Sequence, residues 1–180
     1  DADLMTRAAP GALWVALAFS GVISAAQSYQ SDLEGGAFEA LLTLPVPRAA
    51  VFLGKLLANW VTMTVLGAAL LPVTALLFDA PIAGGLPVLL ATIALGTLGF
   101  AIIATFYAAL TANLAARESL LPVLMFPVVV PVLLAAVRAT DAVMIAGDTS
   151  LAGDWVQLLA GFDLMYVVVT SAIFHIVVEE

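Results

Sequence analysis

Cysteine is absent from this 180-residue chain, which excludes disulfides, thiolate metal sites and thiol nucleophiles. Positive charge is nearly as scarce, with five Lys and Arg against thirteen Asp and Glu and a formal net charge of -8. That balance excludes a basic surface for nucleic acid and a polybasic patch for anionic lipid. One histidine and scattered acids provide no ligand set for a transition metal, so no metal site is expected. A phosphate-cradling loop is missing as well. Gly35-Gly36 lacks the pattern, and Gly54-Lys55 has neither the upstream glycine nor a following Ser or Thr. No residue constellation suits catalysis, and any ATP that drives this chain is bound by another one.

What the chain has in excess is apolar surface. It is 64% hydrophobic and 10% charged, with a mean hydropathy of +1.17, too apolar for a soluble domain of this size. Crossing about 30 Å of hydrocarbon takes about 20 apolar residues in a helix. Runs of that kind lie at 8–26, 49–78, 86–113, 120–137 and 155–178. Barrel strands would be short and alternating, so these are helices. The expected fold is an all-α polytopic bundle in the lipid bilayer, one transmembrane domain over 1–180. Pro10 opens the first span, Lys55 snorkels from the second, and Trp155 anchors the last at the interface. Arg48, Lys55 and Arg117 flank one side of the membrane, and Arg7 and Arg138 the other. This bias places residues 27–48 and Arg117 in the cytoplasm, with loops at 79–85 and 138–154 outside.

Between the first two spans lies a polar island, Gln27 to Arg48, holding three of the thirteen acids. Ser31 and Glu34 have capping-box spacing, and Pro45 and Pro47 form a stop, so a short helix is expected over about 32–44. At about 100° per residue, Leu33, Ala37, Ala40, Leu41 and Leu44 share one stripe, the side facing the membrane. Phe38 and Leu42 form a second apolar face between Glu34 and Glu39. This second face has two readings. The helix either lies among the headgroups, or offers Glu34, Phe38, Glu39 and Leu42 to a soluble partner.

The remaining polar and special residues carry paired readings. Asp163 stands about eight residues, and so about 12 Å, beyond Trp155. A carboxylate at that depth either serves a function in a complex or is shallow or locally hydrogen-bonded. Asn59 and Tyr107 are expected to satisfy themselves within the bundle. Pro122, Pro127 and Pro131 either supply a hinge in the fourth span or build a fixed curve, and three kinks in ten residues favour the curve. Ala104, Ala108, Ala112 and Ala116 form a ridge for close helix packing.

The run LEGGAFEALLTLPVPRAAVFLGKLLANW, Leu33 to Trp60, resembles the segment after the second span in the CcmB family of cytochrome c maturation permeases, also called heme exporter protein B. APGALWVA, Ala9 to Ala16, and LLPVLMFPVVVPVLLA, Leu120 to Ala135, are similar to that family's second span and its proline-punctuated fifth. The likeness covers nearly the whole chain, whereas the family has six spans, so this sequence is expected to lack the first.

The resemblance implies an ABC-2-like membrane permease subunit, non-catalytic and multi-pass, in a bacterial inner membrane. Its implied partners are a cytoplasmic ABC ATPase that binds the ATP, a heme-handling membrane subunit and a periplasmic heme chaperone. The island becomes a coupling helix for the ATPase. ATP hydrolysis then drives either heme export or release of the heme-loaded chaperone, and the lack of heme ligands and polar pore residues favours release. His175 is either an axial heme ligand or an interfacial histidine near the polar C-terminus, with Glu179 one turn further on; its position favours the second. A permease of the same plan exporting lipid or polysaccharide is the alternative. A secondary transporter would need more intramembrane charge and an inverted repeat.

Overall fold

Five long helices carry the chain in the computed structural model, which describes the backbone of residues 2–34, 48–111 and 117–178 and the side chains of 4–27, 50–111 and 121–172. The helices among the described residues are α1 (Ala2–Glu34), α2 (Arg48–Phe78), α3 (Leu86–Thr111), α4 (Arg117–Met144) and α5 (Thr149–Val178), with a 3-10 turn at Ala83–Gly85. All five are long and apolar enough to cross a membrane, and no strand occurs among the described residues.

Several helices run past their apolar cores. The first does not open at Pro10 but at Ala2, with Pro10 inside it, and it continues to Glu34. Ser31 and Glu34 therefore sit in the last turn of α1, and no helix starts at Asp32. The fourth reaches Met144 rather than stopping near 137, and the fifth begins at Thr149. The expected outer loop at 138–154 shrinks to the turn around 145–148, and Arg138 is helical.

Local chemistry explains that turn. Ile145 N–H donates to the Asp141 carbonyl at 2.9 Å, Ala146 N–H to the same oxygen at 3.3 Å, and Asp148 N–H to the Ala142 carbonyl at 2.9 Å. Gly147 takes the left-handed conformation, φ 65°, that ends a helix in this way. Asp148 then caps α5, its Oδ1 accepting from the backbone N–H of Ser150 at 2.9 Å and Leu151 at 3.0 Å. At the end of α2, Asp79 adopts φ 51° and Ala80 N–H reaches back to the Ala75 carbonyl at 2.9 Å. This is the six-to-one closure of a Schellman motif, followed by Pro81. Thr6 of α1 satisfies the orphaned Phe78 carbonyl at 3.1 Å.

α3 is the centre of the bundle. It packs on each of the other four helices, while α1 also contacts α2 and α4, and α4 also contacts α5. The others thus wrap α3 in the order α2, α1, α4, α5. Gly96 of α3 makes this closeness possible, because a methyl group there would overlap the Trp14 ring and come within 3.1 Å of Ala136 Cβ. Trp14 is accordingly a core residue. Its indole Nε1–H donates to Thr140 Oγ1 at 2.9 Å, and that hydroxyl donates to the Ala136 carbonyl at 2.8 Å. On the other flank, Trp60 Nε1–H donates to the Ala94 carbonyl at 2.8 Å, and Thr64 and Thr97 hydroxyls bond at 2.8 Å. Membrane helices gain little hydrophobic drive from one another, so such packing and polar clips hold them. Trp14→Phe, which keeps an aromatic ring and deletes the donor, is expected to cost about 1 kcal/mol. The check is a thermal midpoint in detergent, with no additional loss when Thr140→Ala is combined with it.

Ala104 and Ala108 of the expected alanine ridge are buried; Ala112 and Ala116 lie outside the described residues. The prolines at 122, 127 and 131 leave α4 an unbroken helix, and a neighbouring side chain serves the region they weaken: Tyr166 O–H donates to the Val128 carbonyl at 2.7 Å.

Candidate functional site

The residues singled out in the island divide sharply. Leu33 and Glu34 belong to the last turn of α1 by backbone, with side chains beyond the described ones. Ala37, Phe38, Glu39, Ala40, Leu41, Leu42 and Leu44 lie outside the described residues. The His175 side chain also lies outside the described side chains.

Asp163 is described fully, and it is not locally hydrogen-bonded. It occupies the middle of α5, level with Gly99 in the middle of α3. The side chain is 5% exposed, and neither carboxylate oxygen has a hydrogen-bond partner. A methyl group at Gly99 would overlap Asp163 Oδ1 and approach the Val132 γ-carbons at 3.2 Å. The carboxylate thus lies where α3, α4 and α5 meet, against bare backbone and a branched apolar side chain. A polar group held this way is costly.

Two more buried polar side chains lack partners: the Asn59 amide, at both its nitrogen and its oxygen, and Thr105 Oγ1. Asn59 does not satisfy itself. Gly21 lies beside Met63 and Gly67 beside Leu17, a register that sets Asn59 level with Ala25, which offers no donor or acceptor side chain. Tyr107 is half-buried and stands edge-on to Phe106, with ring centroids 5.7 Å apart.

Tyr166 and Gly99 were not singled out in the sequence. Tyr166 follows Asp163 by three residues, which puts both on one helix face, and its ring stacks on Phe162 at 6.3 Å. Gly96 and Gly99 share the same three-residue spacing on α3. Those spacings were the available signals, but in an apolar span they are indistinguishable from ordinary packing until the facing residues are known.

The turns fix which helix ends share a membrane face. Residues 27 and 48 lie at one face, and Ser150, in the first turn of α5, at the other. With the island in the cytoplasm, a cysteine introduced at Ser28 is expected to resist an impermeant external thiol reagent while one at Ser150 reacts; the reverse labelling would invert the orientation. The absence of native cysteine makes the measurement clean.

A family model described as CcmB protein matches residues 1–179. Three curated relatives, each called Heme exporter protein B, are similar over most of the chain. The Pseudomonas aeruginosa protein is 32% identical over 142 residues, 79% of this chain and 63% of the relative. The Rhodobacter capsulatus protein is 33% identical over 132 residues, 73% and 60% of the two chains. The Paracoccus denitrificans protein is 33% identical over 134 residues, 74% and 61%. The chain spans about three fifths of the length of these relatives.

Proposed function

The chain belongs to the CcmB protein family, and from that premise we propose that it is the membrane permease subunit of an ATP-binding-cassette complex that serves cytochrome c maturation in a bacterial inner membrane. The observation that carries this reading is the family match over residues 1–179, which takes in all five helices and the polar island together. Relatives named for heme export point to heme as the cargo of the complex.

In this account ATP is bound and hydrolysed by a separate cytoplasmic subunit. The island between α1 and α2 receives the displacement, with Phe38 and Leu42, rimmed by Glu34 and Glu39, seated in a groove of the ATPase, and Leu33, Ala37, Leu41 and Leu44 turned to the membrane domain. Because α1 runs unbroken to Glu34 and α2 begins at Arg48, a push on the island is delivered directly to two helices that both pack on α3. The whole chain, 1–180, moves as one permease domain. Its task is to bias a conformational equilibrium, which requires different contact with the two ATPase states.

Two uses of that motion share the family reading, export of heme through the bundle or release of a heme-loaded periplasmic chaperone. The spans favour release. Their described interior is apolar apart from threonines, Asn59, Asp163 and the Tyr166 hydroxyl, and its buried residues include no histidine to ligate heme and no cation to meet its propionates. The test is purification of the full-length chain from native membranes. An ATPase subunit and a heme-handling membrane subunit are expected to accompany it; recovery of an ATPase with a lipid or polysaccharide export system would point to the alternative.

A further inference from the structure

We propose that Asp163 and Tyr166 form a hydrogen-bond exchange latch between α4 and α5. In the packing of this structure the Tyr166 hydroxyl donates to the Val128 carbonyl; in a second packing, reached as the bundle moves, it donates to the Asp163 carboxylate.

Asp163 raises the question. It is 5% exposed and both its oxygens lack a donor, although buried polar groups in native proteins nearly always have one. A donor supplied in a second packing would account for it. The donor nearest to it along the chain is Tyr166, three residues on and on the same face of α5. Helical side chains lean toward the N-terminus, and the stacking of Tyr166 on Phe162, interplanar angle 16°, lays its ring back over the turn that carries Asp163. The hydroxyl is now committed across the seam to Val128, at 2.7 Å.

The place where it is committed is built to yield. Val128 lies between Pro127 and Pro131. Neither proline has an N–H, so the Val123 and Pro127 carbonyls lose their usual donors and α4 is less rigid there. Gly99, lacking a Cβ, lets the carboxylate sit against the α3 backbone. Exchange between Val128 and Asp163 would keep the buried hydroxyl bonded in both packings, so the seam could shift without stranding it.

The latch rests on the reading of this chain as a moving permease subunit, and the two can fail separately. Variants are placed in the full-length gene and tested in the assembled complex for c-type cytochrome yield and thermal midpoint. Tyr166→Phe and Asp163→Ala are each expected to lower the maturation rate about tenfold, the scale of one buried hydrogen bond, and the double variant should fall no further than the worse single one. Asp163→Asn keeps an acceptor and should retain most activity. Asp163→Ala should leave the thermal midpoint unchanged or raised, because it removes an unpartnered buried group. Losses that multiply in the double variant, the absence of any loss, or an Asp163→Ala defect that tracks a lowered midpoint would each overturn the latch. A wild-type chain that does not support maturation would overturn the proposed function and the latch with it.

Discussion

Replacing Phe38 and Leu42 together by Asp is expected to abolish co-purification of the ATPase subunit while the chain still inserts and folds in the membrane. Seating two large apolar side chains in a protein groove contributes about 1.5–3 kcal/mol each. Their joint loss therefore weakens the complex by about 3–6 kcal/mol, or between about a hundredfold and ten-thousandfold in affinity. Two extra carboxylates beside Glu34 and Glu39 add repulsion. An interfacial helix without a soluble partner predicts a different outcome: the island would leave the headgroups, and any co-purification would be unchanged. Blue-native electrophoresis of mildly solubilised membranes separates the two results.

The second large effect concerns the bundle itself. Gly96→Val is expected to cost about 3 kcal/mol, at the upper end for overpacking a filled core, whereas Gly99→Ala should cost about 1 kcal/mol at the lower end of that range. Both added side chains meet occupied space, but what they meet differs. At Gly96 the obstacle is the Trp14 ring, with Ala136 Cβ at 3.1 Å, and the indole is held in place by its bond to Thr140. At Gly99 the first obstacle is Asp163, which no hydrogen bond holds and which can rotate aside. Thermal midpoints and the monodisperse fraction after solubilisation should rank wild type above Gly99→Ala and Gly99→Ala above Gly96→Val. Equal losses at the two positions would mean that side-chain mobility does not set the cost.

The contrast between these residues also explains what the sequence could reveal. Fold class was legible because apolar runs such as 49–78 and 86–113 are dictated by the thickness of the hydrocarbon, a constraint local to each segment. Helix ends were less legible for the same reason. Hydropathy marks where lipid contact stops, but the helix continues while its hydrogen bonds do, as α4 does through Arg138, Thr140 and Asp141 to Met144. The ends are set by Gly147 and Asp148, whose roles depend on conformation and capping rather than on polarity.

At the buried site, Asp163 stood out as an isolated carboxylate in an apolar run. Its setting did not, because Gly99 and Val132 are 64 and 31 residues away in sequence and meet it only through the packing of three helices. The setting of Asn59 was hidden for a related reason: whether an amide is satisfied depends on the facing residue, and the register of α1 against α2 brings an alanine there. Trp14 likewise gave no sign that its indole crosses to Thr140, more than a hundred residues away. The proposed cargo and partners rest on family resemblance, because no spacing of residues in this chain encodes them.

The proposed role of this chain in cytochrome c maturation can be tested by deleting its gene and measuring covalently bound heme in c-type cytochromes by heme staining. In the deletion strain c-type cytochromes are expected to disappear while b-type cytochromes persist, and the full-length gene is expected to restore them. Normal levels of c-type cytochromes in the deletion strain would contradict it.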